Sequence, residues 1–245
     1  LGPDAAAEAD QRLTAMAEEY HRRTKDFAGV IRKKLPFYLY SRAEDYHVAG
    51  GLPGSAGQFS GSGSGGRLMA LAGRGTGPGL WHTVQHEGFH QFVVMVIGGR
   101  MPVWANEGMA EYFGQGLWTG DGFVTGTIPQ AKLELLRRYI RTGRLMDFED
   151  FLSMSPSQWR GAFSNKDKGK DKGDADRVKI NYIQAWSIVH FLVHAENGKY
   201  RQSFSGFISD IAAGKSWKAA VPDRFGSNVK GFQQKHRDWW LSLPE

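Results

Sequence analysis

The chain has 245 residues, a net charge of +6, 41% hydrophobic residues with 8 Trp and 15 Phe, and no cysteine. That length fits one large domain or two modest lobes with an ample core. The missing cysteines exclude disulfides and thiolate zinc sites, so any zinc must be held by His, Asp or Glu.

Residues 4 to 28 are Ala-rich, with Leu13, Met16 and Tyr20 on one side, and predict a helix. "LPFYLYS", 35 to 41, predicts a short buried strand. The Gly- and Ser-rich stretch 49 to 66 reads as a loop or hairpin, because "RLMALAG" after it predicts a second strand. A helix over 81 to 96 and another over 103 to 114 follow. "IPQAKLELLRRYIRTG", 128 to 143, is amphipathic and stops at Gly143. Residues 165 to 177 alternate charge and glycine and predict a mobile surface loop. A strongly apolar helix then closes at Gly198, and the rest is mostly helical. The order predicts an α+β fold with the strands in an N-terminal lobe. The longest apolar run, Phe92 to Ile97, is far short of a membrane span. The basic clusters "HRRTK" and "IRKK" have acids among them and no nucleic-acid motif beside them, so they read as solvated faces.

Chemistry concentrates in "WHTVQHEGFHQFVVMV". Trp81, Val84, Phe89, Phe92, Val93 and Val96 recur at three- and four-residue steps, so the segment is a helix with one face inward. His86 and His90 are then i and i+4 on one face, a spacing that lets two imidazoles bind one divalent metal. Glu87 stands beside the metal, where a carboxylate can take a proton from water. A catalytic zinc usually has three protein ligands, and Glu107 is the candidate third. It lies 17 residues after His90, beyond "GGRMP", whose glycines and proline turn the chain back. Glu111 lies one turn further along the same face. His82 lies one turn outside the motif and is left out of the ligand set. His190 and His194 form a second i, i+4 pair without a third ligand on their face, and read as structural.

His86-Glu87-x-x-His90 followed by Trp104-x-x-Glu107-Gly108-x-Ala110 resembles the gluzincin metallopeptidases. Within them it is most similar to the peptidase MA-like group and the M1 aminopeptidase catalytic core. The resemblance implies a thermolysin-like catalytic domain with one zinc per chain. It implies that His86, His90 and Glu107 are the ligands and Glu87 the general base, with Glu111 supporting the first histidine. Tyr182, in "YIQAWSIVHFL", resembles the tyrosine of the family's Tyr-x-Lys-Gly segment, which stabilises the oxyanion; Gln184 and Ala185 stand where that segment has Lys-Gly. The aminopeptidase Gly-x-Met-Glu-Asn strand is not found before His86. The family's substrate-pairing edge strand is expected at 67 to 72, chiefly Arg67, Leu68, Met69, Ala70 and Leu71.

The expectation is one catalytic domain, an N-terminal helix and strand lobe over 1 to 77 and a helical lobe with the zinc motifs over 78 to 245. Its function is expected to be a zinc-dependent peptidase acting on a peptide or protein substrate, with no nucleic-acid partner. The alternatives are an inactive zinc-containing pseudoenzyme that binds peptide or protein, and a hydrolase of a non-peptide amide. Glu87 weighs against the pseudoenzyme, since a purely structural site has no use for a base. No signal peptide stands in "LGPDAAAEADQRL"; it looks like a trimmed mature end. With the resemblance, that makes an extracytoplasmic or secreted location the expectation.

Overall fold

Strand β3 (Gly65–Leu71) organises the first part of the chain, because it is apolar enough to be covered on both faces. Leu68, Met69 and Ala70 are all 1% exposed or less. β1 (Phe37–Tyr40) pairs with it in parallel, Phe37 opposite Leu68, and β2 (Gly57–Ser62) pairs antiparallel, Phe59 opposite Leu68. The sheet order is β1-β3-β2. The computed structural model describes residues 3–24, 36–62, 65–72, 78–97, 101–161 and 172–244. Over these the fold is helix and sheet mixed, mostly helical, compatible with an α+β class. The chain divides into two compact units.

The first unit comprises Leu1–Gly99 and Tyr112–Thr127. It holds helix α1 (Pro3–Thr24), the sheet, the short α2 (Ala43–Val48) and the motif helix α3 (Pro78–Val96), which packs on β2 and β3. The motif helix thus belongs to the same unit as the sheet. α1 lies against α3 through Tyr20, whose ring meets Phe89, Phe92 and Phe113 edge-on or tilted. The tip of Met16 fills the space that Gly88 leaves: a Cβ there would stand 2.5 Å from the Met16 Cε. The Tyr20 hydroxyl donates to the Gln85 carbonyl. A hairpin of β4 (Leu117–Trp118) and β5 (Phe123–Val124), absent from the sequence reading, completes this unit.

The second unit comprises Arg100–Glu111 and Ile128–Glu245. It contains the start of α4 (Val103–Gly114), then α5 (Gln130–Arg141), α6 (Phe148–Ser153), α7 (Pro156–Gly161), α8 (Lys172–Gly198), α9 (Arg201–Ala212), α10 (Trp217–Phe225) and α11 (Val229–Ser242). α8 runs through the core with Trp186, Ile188 and Leu192 fully buried. It loses helical geometry at Ala195, and Glu196 and Asn197 take positive φ before Gly198. α11 closes on it through Trp240, whose indole N–H donates to the Ser187 carbonyl at 3.2 Å. Buried Arg137 of α5 donates to the Trp240 and Leu243 carbonyls, tying down the end of α11.

The helices expected at 103–114 and 128–143 appear as α4 and α5, the latter followed by Gly143 at φ 63°. The hairpin reading of 49–66 is realised in β2 and β3. The loop expected over 165–177 is corrected at its end, where α8 begins at Lys172. The segment carries no apolar period, so a helical turn there leaves no pattern to read. The rest of that loop, 165–171, and the end of the first expected helix, 25–28, lie outside the described residues. No helix among the described residues is long and apolar enough to cross a membrane.

Candidate metal centre

His86 and His90 project from one face of α3, one helical turn apart, as their spacing requires. Their Nε2 atoms face each other at 3.1 Å. Two imidazole nitrogens on one tetrahedral zinc, each about 2.0–2.1 Å from it, stand about 3.3 Å apart. The observed separation therefore suits a shared cation. One ligand atom each from His86, His90 and Glu107 lies within 4.8 Å of the others, and this is the one group of three possible metal-binding side chains among the described residues. Two imidazoles and a carboxylate form a donor set that can hold a metal ion. His82 is not part of the group, although its ring lies 6.2 Å from that of His86.

Within the first unit, α3 holds the C-terminal end of α4. Gln85, the residue before His86, is 3% exposed. Its Nε2 donates to the carbonyls of Phe113, Gly114 and Gly116, at 2.8, 3.3 and 3.1 Å. These groups belong to the end of α4 and the turn after it, where carbonyls have no helical partner. Phe89 stacks on Phe113 with ring centroids 4.9 Å apart. Gly114 comes so close that a Cβ on it would stand 3.0 Å from the His82 Nε2.

α4 also lies close to α8. A Cβ on Gly108 would stand 2.4 Å from the Ala185 carbonyl oxygen and 2.7 Å from the Val189 Cγ2. Only glycine permits this backbone approach, next to Glu107 on one helix and three residues from Tyr182 on the other. Tyr182 is half-buried and packs edge-on against Trp159, centroids 5.4 Å apart.

Glu111 pairs with Lys132 of α5, Nζ to Oε2 2.7 Å, both side chains nearly buried. The same ammonium stands 4.6 Å from the Trp186 ring centroid. Burial pushes the lysine pKa down, and the Glu111 carboxylate opposes that shift.

Glu87 accepts a hydrogen bond from the Phe59 backbone N–H, at 2.8 Å on Oε2. β2 reaches it because position 57 is glycine; a Cβ there would meet the Thr83 Cγ2 at 2.4 Å and the Glu87 Cγ at 3.3 Å. This corrects the expected substrate strand. Arg67, Leu68, Met69, Ala70 and Leu71 form the central strand, with β1 on one side and β2 on the other, so their backbone groups are already used in the sheet. The edge that lies beside Glu87 belongs to β2.

His190 and His194 sit with ring centroids 4.4 Å apart, and His190 lies among Trp186, Trp239 and Trp240. Gln85, Lys132, Gly57 and the Phe59 amide were not singled out from the sequence. Gln85 had one signal available, a polar residue on the buried face of an apolar helix; the Phe59 amide had none, since a backbone group leaves no mark in sequence.

A family model described as a protein of unknown function, DUF1570, matches residues 81–213. The matched stretch is more than half of the chain, and His86, Glu87, His90, Glu107, Glu111 and Tyr182 all fall within it. No curated protein and no solved structure matches the chain.

Proposed function

The chain belongs to the DUF1570 family, a family of unknown function, and we propose that it is a zinc-dependent peptidase with a thermolysin-like catalytic domain. The observation that carries this reading is the convergence of His86, His90 and Glu107 with an acid, Glu87, on the same helix as the histidines. A structural zinc site is closed by four protein ligands, whereas three ligands leave a position for substrate or water. Two histidines and one glutamate are a ligand set that catalytic zinc takes, with water in the fourth position.

In this proposal His86, His90 and Glu107 hold one zinc per chain. Zinc so held supplies Lewis acidity, which polarises a carbonyl and makes water a nucleophile at neutral pH. Glu87 takes one proton from the attacking water as the new carbon–oxygen bond forms. It then gives that proton to the amide nitrogen as the carbon–nitrogen bond breaks. Tyr182 donates its hydroxyl hydrogen to the carbonyl oxygen while negative charge grows there. Glu111, neutralised by Lys132, supports the histidine side of the site.

The test is Glu87→Gln. It is expected to keep zinc and fold and to lose hydrolysis by about 10² to 10⁴ in rate, the usual contribution of a general base. Glu107→Ala is expected to lose most of its zinc. Hydrolysis by Glu87→Gln within threefold of the parent would reject the mechanism, and full zinc in Glu107→Ala would reject the ligand set.

A further inference from the structure

A glutamate on a helix surface has three side-chain torsions, and a general base works only while it points at its proton donor. Something must hold Glu87. The contact comes from the sheet. β2 is an edge strand: among the described residues it pairs with β3 on one side and with no other strand. The Leu71 N–H bonds to the Ala56 carbonyl at 2.8 Å, so Ala56 faces β3 with its backbone groups. In an antiparallel pair this duty alternates. Gln58 and Ser60 therefore also turn their N–H and C=O groups to β3, and Gly57, Phe59 and Gly61 turn theirs outward. The Phe59 N–H, outward by this count, meets the Glu87 Oε2 at 2.8 Å. Gly57, one outward residue earlier, is the position where a side chain would push the strand off α3 at Thr83 and Glu87. Two independent features, strand register and a required glycine, bring one amide to one carboxylate oxygen.

We infer that the Phe59 backbone amide is a positioning donor that fixes the Glu87 carboxylate, so that Oε2 is held by the sheet and Oε1 handles the proton. This rests on the peptidase reading for its catalytic consequence, but the hydrogen bond can be tested without activity. The edge strand thereby helps build the base, with backbone groups that tolerate any side chain at 59.

Two measurements decide it. In the first, hydrogen exchange at the Phe59 amide is followed by NMR in the parent and in Glu87→Ala. An outward amide on a sheet edge exchanges fast unless something holds it, so protection at Phe59 is expected to fall at least about tenfold in the variant. The Leu68 and Ala72 amides, bonded to the Pro36 and Tyr40 carbonyls of the sheet's other side, are expected to keep theirs. Unchanged protection at Phe59 would overturn the inference. In the second, Phe59→Pro removes the N–H at an outward edge position, where proline is tolerated. Its kcat is expected to fall about tenfold, the weight of one hydrogen bond to a charged group, with KM within threefold and zinc content unchanged. Full kcat in a folded Phe59→Pro would overturn the inference as well. A parent protein that cleaves no peptide would remove the peptidase reading alone, and the exchange result would still decide whether the sheet holds Glu87.

Discussion

Lys132 of α5 and Glu111 of α4 form an ion pair at 2.7 Å with only 13% and 12% of their side chains exposed. Removing one partner of a buried pair strands the other charge, at a cost of about 3–5 kcal/mol. Glu111→Gln, which leaves the Lys132 ammonium buried without its carboxylate, is therefore expected to lower stability by about 3 kcal/mol, read from urea denaturation. The double variant with Lys132→Met is expected to recover part of that loss, because the buried ammonium is then gone as well. A single variant that costs under about 0.5 kcal/mol would show the pair to be solvated.

Gly108→Ala tests the approach of α4 to α8. The new methyl would stand 2.4 Å from a backbone oxygen, that of Ala185, which cannot swing aside. Overpacking of this kind costs about 1–3 kcal/mol. A loss of about 2 kcal/mol in thermal unfolding is expected, together with lower zinc occupancy, since Glu107 is the neighbouring residue. A variant as stable as the parent would mean that α4 and α8 can part freely at this point.

His236 of α11 is fully buried, with its Nε2 3.0 Å from the Ser187 hydroxyl. Burial, aided by the charge of Arg237, lowers its pKa from the ordinary 6.5 to about 3. The unfolded chain takes up a proton below pH 6.5 that the folded chain refuses. Stability is thus unaffected by this group above that pH and falls as pH drops toward about 3, by about 1.4 kcal/mol per unit. His236→Gln, which cannot titrate, is expected to show a shallower acid limb in urea midpoints measured between pH 7 and 4. Parallel limbs in parent and variant would assign acid unfolding to other groups.

Tyr182→Phe separates the hydroxyl from the ring. The edge-on contact with Trp159 survives in the variant, so zinc content and melting temperature are expected to stay near normal. If the hydroxyl plays the proposed oxyanion role, kcat is expected to fall by about 10² to 10³ with little change in KM. A kcat within threefold of the parent would leave Tyr182 as a packing residue on α8.

The candidate ligands were legible because helical spacing alone carries His86 and His90 to one face, and because Glu107 stands within a second regular helix. The sheet was legible only in part. "RLMALAG" announced a strand, but which neighbours pair with it depends on a hairpin of glycines, serines, Gln58 and Phe59 with little apolar pattern. Its edges were therefore misassigned. Lys132 gave no signal: on an amphipathic helix it reads as a solvated charge, and only the tertiary fold sets Glu111 and Trp186 around it. Gly57 and Gly108 read as loop and helix residues of low propensity, because the atoms that exclude a Cβ come from Thr83 and Ala185, far away in the chain.

Cleavage of an unbiased peptide library by the purified protein tests the central claim most directly. The parent is expected to cleave at a defined set of bonds, to stop when a chelator removes the metal, and to resume when zinc is restored, with Glu87→Gln silent throughout. Cleavage that persists in the chelated protein, or a zinc-loaded parent that leaves every peptide intact, would contradict it.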